Sequence, residues 1–114
     1  MADAQQRIDE LDKGSEVLLF MKGNASFPQC GFSGRAIQIL KACGVEPKSL
    51  KTVNVLEDAE IRAGIKDYSN WPTIPQLYVN GEFIGGSDIM MEMYESGELQ
   101  QVINSIGSAP DKLN

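Results

Sequence analysis

Two cysteines, Cys30 and Cys43, and no histidine set the chemistry open to this chain. Cys30 lies in Pro28-Gln29-Cys30-Gly31-Phe32-Ser33, where Ser33 stands at the position in which a dithiol motif would carry its second thiol. The absence of histidine removes Cys-His and Ser-His nucleophile pairs and histidine metal sites. Two cysteines in one chain cannot supply the four thiolates of an ordinary zinc or iron–sulfur site. What remains is chemistry that one thiol performs alone, such as exchange with a mixed disulfide.

The placement of Cys30 favours a reactive thiol over an ordinary loop cysteine. It falls where a loop meets the start of a helix, and the unpaired N–H groups and dipole there favour a negative sulfur. Lys22, just after the first strand, is a second candidate for lowering the thiol pKa. Gly31 leaves the backbone room beside the sulfur. Phe32 is an apolar group in the first turn, suited to covering a ligand or docking a partner. Ser33 cannot form a disulfide and at most donates a hydrogen bond to the thiolate. Cys43 is a poor redox partner. On one helix the spacing from 30 to 43 is about 20 Å along the axis and about 220° around it. A disulfide needs Cα atoms within about 7 Å. Cys43 also shares an apolar stripe with Ala36, Ile37 and Leu40, so it reads as a core residue.

The elements that must position these groups follow from the pattern. Ala4 to Leu11 reads as a short helix with Ile8 and Leu11 on one face. Val17-Leu18-Leu19-Phe20-Met21 is a continuous apolar run, expected as a strand buried on both faces. A helix starts at Cys30 or Gly31 and stops at Gly44. Leu50 to Leu56 is a second strand, parallel to the first because a helix lies between them. Asp58 caps a short helix running to about Lys66. A loop containing Trp71-Pro72 and Pro75 follows; Trp71 reads as a packed loop corner or part of a partner surface. Asn80-Gly81 between apolar runs is a hairpin signal. Gly85-Gly86-Ser87-Asp88 leads into a helix, Gly97 interrupts it, and Glu98 to Ile106 forms a last one. The predicted order is βαβ followed by αββα: an α/β fold, thioredoxin-like in outline, with a four-stranded mixed sheet flanked by helices.

The 114 residues suit one domain, with a core from about 15 to 107, a short N-terminal helix and a frayed C-terminal tail. The 16 acidic and 10 basic residues give a net charge of −6. That argues against nucleic-acid binding, which needs a basic face. No apolar run is long enough to span a membrane. The acidic, polar N-terminus lacks a secretory or transit layout, so a reducing cytoplasm is the expected compartment, with a mature mitochondrial form as the other option.

Cys30-Gly31-Phe32-Ser33, the stretch Asn70 to Gly86 ("NWPTIPQLYVNGEFIGG") and Gly85-Gly86-Ser87-Asp88, in this order and spacing, resemble the monothiol glutaredoxins of the CGFS class. The match runs from about Val17 to Ile106, and the chain is similar to the single-domain form of bacteria and mitochondria. The resemblance implies a glutathione-binding thioredoxin fold. It also implies a [2Fe–2S] cluster shared by two protomers, each giving the Cys30 thiolate and one bound glutathione. Thiol arithmetic agrees, since a cluster takes four thiolates and this chain has one to offer.

Glutathione is an extended tripeptide with two carboxylates and one ammonium, and residues suited to each part are present. Lys22, Arg62 and Lys66 are cations for the glycine carboxylate. Arg62 and Lys66 are four apart on one helical face and would otherwise be a solvated surface pair. By resemblance, Pro75 is a cis-proline that leaves the Ile74 N–H and C=O for the cysteinyl backbone, with Thr73 beside it. Gly86, Ser87 and Asp88 precede a helix; backbone N–H groups suit the γ-glutamyl carboxylate and the Asp88 side chain suits the ammonium. Plain N-capping by Ser87 or Asp88 is the alternative. Many family members carry cysteine where this chain has Ser87, so an internal disulfide by that route is closed here.

The functions implied are a carrier of [2Fe–2S] clusters and, alternatively, a glutathione-dependent monothiol oxidoreductase acting through Cys30, with reductase activity that the family usually shows only weakly. A module without chemistry fits least. The partners implied are a second copy of the chain when the cluster is bound (the apo form a monomer), BolA-like proteins, a cluster scaffold and apo iron–sulfur proteins.

Overall fold

The computed structural model describes residues 3–46 and 49–106. The elements run α1 (Ala4–Lys13), β1 (Val17–Met21), α2 (Gly31–Ala42), β2 (Leu50–Asn54), a single 3-10 turn (Val55–Glu57), α3 (Ala59–Ser69), β3 (Gln76–Val79), β4 (Glu82–Gly85), α4 (Ser87–Ser96) and α5 (Glu98–Asn104). The sheet order is β2-β1-β3-β4. β1 pairs parallel with β2 and antiparallel with β3, and β3 pairs antiparallel with β4. This is the expected mixed four-stranded sheet between helices. The expected frayed tail after Ile106 lies outside the described residues.

β1 explains how the sheet is covered. All five of its residues are buried. Val17, Leu19 and Met21 face one side and join Ala36, Ile37 and Leu40 of α2, Met90 of α4 and Leu99 of α5. Leu18 and Phe20 face the other side, with Ile8 of α1, Ile61 and Ile65 of α3, and Tyr78. Alternation along the strand therefore sends successive side chains into two separate cores, and both must be apolar. Cys43 is 4 % exposed and belongs to the first core, as its stripe suggested.

Helix α2 runs between two well-defined ends. Cys30 is its N-cap residue. At its other end Gly44 takes φ of +82°. Its N–H bonds the Lys41 carbonyl and the Val45 N–H bonds the Leu40 carbonyl, the paired pattern of a Schellman stop.

Several element ends differ from the sequence reading. The second strand stops at Asn54 rather than Leu56, because the Asn54 side chain accepts the Leu56 N–H and turns the chain into the 3-10 segment. Leu56 is left exposed. α3 runs past Lys66 to Ser69, where Asn70 in the left-handed region ends it. α1 continues to Lys13, and α5 ends at Asn104, short of Ile106.

α1 is fastened along α3. Asp58, which caps α3 through the Glu60 and Ile61 N–H groups, also pairs with Arg7 of α1. Gln5 donates to the Gly64 carbonyl at 2.8 Å. A methyl group at Gly64 would meet Ala4 Cβ at 3.0 Å, so glycine is what allows the two helices to approach this closely.

Candidate functional site

The site is built where β1, α2 and the loop before β3 end. After β1 the chain turns at Gly23, whose φ is +87° and where a Cβ would come within 2.5 Å of the Gln29 N and Phe27 O atoms. Only glycine fits there. The Asn24 side chain accepts the Ser26 and Phe27 N–H groups, and Gly23 and Pro28 form an isolated bridge. This tight loop returns the chain to Cys30 and leaves Phe27 at its tip 72 % exposed.

Cys30 is only partly buried. As a neutral thiol it makes no capping hydrogen bond. The Ser33 backbone N–H is the strongest influence holding its pKa below the ordinary thiol value. Partial burial opposes that effect, and the Phe32 N–H, the Lys22 charge and the Ser33 hydroxyl add to it. The helix start therefore supplies donors that a thiolate, more than a thiol, can use. Lys22 acts on Cys30 as the sequence suggested. Ser33 does more than expected: it is fully buried, and its Oγ accepts the Lys22 backbone N–H at 3.0 Å.

Beside the thiol lies an open groove of about 220 Å³ lined by Phe32, Trp71, Thr73, Ile74, Pro75, Gly86, Ser87, Asp88 and Ile89. Seven of these nine were anticipated from sequence: Phe32, Thr73, Ile74, Pro75, Gly86, Ser87 and Asp88. The Ile74–Pro75 bond is cis. Ile74 takes part in no loop or cap backbone hydrogen bond among the described residues, so its polar groups remain for an extended ligand. α4 begins at Ser87 with Gly86 as its N-cap. Capping by Ser87 or Asp88 side chains is thus not realised, and the N–H groups of the first turn stay open. Asp88 is exposed and carries no side-chain hydrogen bond or ion pair among the described residues.

Arg62 and Lys66 are on the exposed surface of α3, without an ion pair among the described residues. They and Lys22 do not line the groove itself. The two wall residues not singled out as ligands are Trp71 and Ile89. A signal that could have singled out Trp71 is Gln76, a polar residue opening an apolar strand. Gln76 is fully buried, and its Nε2 donates to the carbonyls of Trp71 and Thr73 at 3.0 and 3.1 Å, which fixes the loop that forms the wall. Trp71 also packs on Phe83, with ring centroids 5.8 Å apart.

No group of three or more Cys, Asp or Glu side chains is placed to hold a metal among the described residues. One chain therefore offers a single accessible thiol and a groove beside it. No helix is long and apolar enough to cross a membrane among the described residues.

Comparison with known proteins gives the family. The family model described as glutaredoxin matches residues 17–84. A monothiol glutaredoxin of Synechocystis, described as ycf64-like, is 56 % identical over 101 residues, covering 89 % of this chain and 92 % of that one. The mitochondrial monothiol glutaredoxin-5 of Lachancea kluyveri is 52 % identical over 101 residues, covering 89 % and 71 % of the two chains. The solution structure of reduced poplar apo GrxS14 superposes with a TM-score of 0.74 at 49 % identity, covering 86 % and 87 %. Matched by the family model over more than half of its length and about half identical to monothiol glutaredoxins over most of it, the chain belongs to the glutaredoxin family, among its monothiol members.

Proposed function

We propose that this protein binds glutathione in the groove beside Cys30 and carries [2Fe–2S] clusters between iron–sulfur proteins. Two chains would share each cluster, with one Cys30 thiolate and one glutathione thiolate from each side. The observation that carries this reading is the contrast in thiol supply: one thiol stands at an accessible helix start that lowers its pKa, and the other is sealed in the core. A four-thiolate cluster built on such a chain must draw on a second chain and on small thiols. The groove suits glutathione. Ile74 offers a backbone edge, the start of α4 offers N–H groups to a carboxylate, and Asp88 faces solvent free to meet an ammonium. Lys22, Arg62 and Lys66 are the cations for the remaining carboxylate.

The proposed partners are a scaffold that donates the cluster, apo-proteins that accept it and a BolA-like protein that replaces one protomer. The compartment is a bacterial cytoplasm or the mitochondrial interior. A cluster half-held by exchangeable glutathione is released more readily than one held by four protein thiolates.

Reconstitution with iron, sulfide and glutathione, followed by sizing with visible absorption, tests this. A coloured dimer is expected, colourless without glutathione or with Cys30→Ser, and retained with Cys43→Ser. A colourless monomer that rapidly reduces mixed disulfides would overturn it in favour of the second reading, a monothiol oxidoreductase. The lowered pKa of Cys30 supports that second reading too. In it the Cys30 thiolate attacks the glutathionyl sulfur of a mixed disulfide and the target leaves as a thiolate. A second glutathione thiolate then attacks the Cys30-bound sulfur, releasing glutathione disulfide and regenerating Cys30.

A further inference from the structure

The backbone that carries Lys22 is held by three hydrogen bonds from three directions. Its N–H donates to Ser33 Oγ at 3.0 Å, and its C=O accepts the Gln29 N–H at 2.9 Å. The next N–H, that of Gly23, donates to Asn54 Oδ1 at 2.9 Å. The same Asn54 oxygen accepts the Leu56 N–H at 3.0 Å. Asn54 faces Met21 in the parallel ladder, at the last pair before both strands end. It thus ties the end of β2 to the loop leading into Cys30, across 31 positions of sequence. Gly23 takes its φ of +87° in a turn with no room for a side chain. A shift there would carry Lys22 with it.

We infer that Asn54 is a positioning residue of the site: its side-chain oxygen fixes the backbone at Lys22-Gly23 and thereby sets where the Lys22 ammonium stands toward Cys30 and toward a glutathione in the groove. The glutathione part of this rests on the function proposed above. The test uses the full chain with Cys43→Ser, so that one thiol is read. Glutathione affinity by calorimetry and the Cys30 titration by thiolate absorbance are measured for Asn54→Ala, Lys22→Ala and the double variant. Asn54→Ala is expected to weaken affinity about threefold to tenfold and to raise the Cys30 midpoint, as losing one positioning hydrogen bond would. In the Lys22→Ala background Asn54→Ala should change neither, because it acts through Lys22. Additive losses, or an Asn54→Ala chain identical to its parent, overturn the assignment. If Lys22→Ala leaves affinity unchanged, the ligand role of Lys22 falls, and the Cys30 midpoint alone decides on Asn54. Amide exchange keeps the inference testable without a well-folded alanine variant. The Gly23 N–H should be protected in the native chain and with Asn54→Asp, which keeps the acceptor; rapid exchange in the native chain refutes the clamp.

A second inference stands on a different observation, a count of protons between α1 and α3. The Tyr68 hydroxyl lies 2.9 Å from Asp9 Oδ1 and 2.8 Å from Asp12 Oδ2. A hydroxyl has one proton, so it can make a full hydrogen bond to only one of the two carboxylates. A proton on the other would give each contact its own donor. Asp9 is half exposed and paired with Lys13 at 2.7 Å, so it stays ionised. Asp12 is 2 % exposed, and its Oδ1 has no partner among the described residues. The charged and titratable groups around Asp12 are Asp9 and Lys13 on α1, Tyr68 on α3 and Tyr78 on β3. The geometry points to a neutral carboxyl at Asp12 that donates to Tyr68 while Tyr68 donates to Asp9, a proton-dependent latch holding the N-terminal helix on α3. Burial raises the Asp12 pKa, in agreement. A carboxyl raised in the folded state stabilises fully below its unfolded pKa, and that contribution is lost as pH rises through the folded value. Asp12→Asn keeps a donor and cannot ionise. Its melting temperature relative to the native chain should therefore climb between about pH 4 and about pH 7. A carbon-detected NMR titration should place the Asp12 midpoint above the ordinary carboxylate value of about 3.9. A melting difference that is flat or falls over this range, or a midpoint at or below the ordinary value, overturns the latch.

Discussion

Cys30 and Cys43 are the two caps of one helix, α2, and the fold treats them in opposite ways. At Cys30 the Ser33 and Phe32 N–H groups hold the thiol pKa down. At Cys43 burial pushes it up. The helix adds its own asymmetry, with its positive end at Cys30 and its negative end at Cys43. What differs is the supply of donors and the access of water, not the residue. A thiol becomes chemistry where a helix begins near the surface, and becomes packing where a helix ends in the core.

The widest gap between the two should be in reactivity. Brief alkylation of the native protein near neutral pH, followed by mass spectrometry, is expected to label Cys30 at least about tenfold faster than Cys43. Thiolate fraction and access both favour Cys30, whereas Cys43 reacts only after local opening. Comparable rates would break the comparison, because they would mean that the core around Cys43 opens as easily as the site.

The same substitution should then have opposite signs at the two ends. Serine is a strong N-cap, and Cys30 occupies an N-cap with extended backbone and no side-chain cap bond. Cys30→Ser is expected to stabilise the fold by about 0.5–1 kcal/mol while abolishing the cluster binding proposed above. Cys43→Ser places a hydroxyl in an apolar core and should cost about 1–3 kcal/mol. Denaturant melts of the two variants check both signs. A destabilised Cys30→Ser chain would mean that the thiol itself holds the loop, which the geometry does not require.

How much of this was readable beforehand follows from the range of the interactions. β1, α2 and the hairpin declared themselves by local pattern, and so did the roles of the two cysteines, since helix position and stripe are local facts. Most groove residues were legible as well, by resemblance and by their suitability for a tripeptide. The details that escaped depend on partners far along the chain. Leu56 continues the apolar pattern of β2, and only the Asn54 side chain, by capping the next turn, shows why the strand stops. Asn54 in turn acts on Gly23, which no local window contains. Ser33 was read for what it lacks as a thiol; its acceptor role depends on Lys22, eleven positions earlier. Nothing in the local pattern sets Asp12 apart from other acidic residues; its role depends on Tyr68, 56 positions away.

The smallest expected difference between the thiols is in how each couples folding to pH, and its sign is the sharpest check on their environments. Cys30 has a lowered folded pKa, so it contributes stability above the unfolded thiol pKa, and that contribution is lost as pH falls through the folded value. Cys43 has a raised folded pKa, so its contribution is complete below the unfolded thiol pKa and is lost as pH rises through the folded value. Between about pH 7 and about pH 9.5 the two therefore pull in opposite directions. Measured against the native chain, Cys30→Ser should lose stability as pH rises across that window and Cys43→Ser should gain it, whatever their offsets at neutral pH. The phenols do not interfere there. Burial pushes Tyr78 up to about 12 and Tyr68 up as well, and their coupling to folding begins near their unfolded value of about 10. If both variants shift the same way with pH, then the two ends of α2 do not differ in how they hold a charge, and the division between a site thiol and a core thiol fails at its physical root.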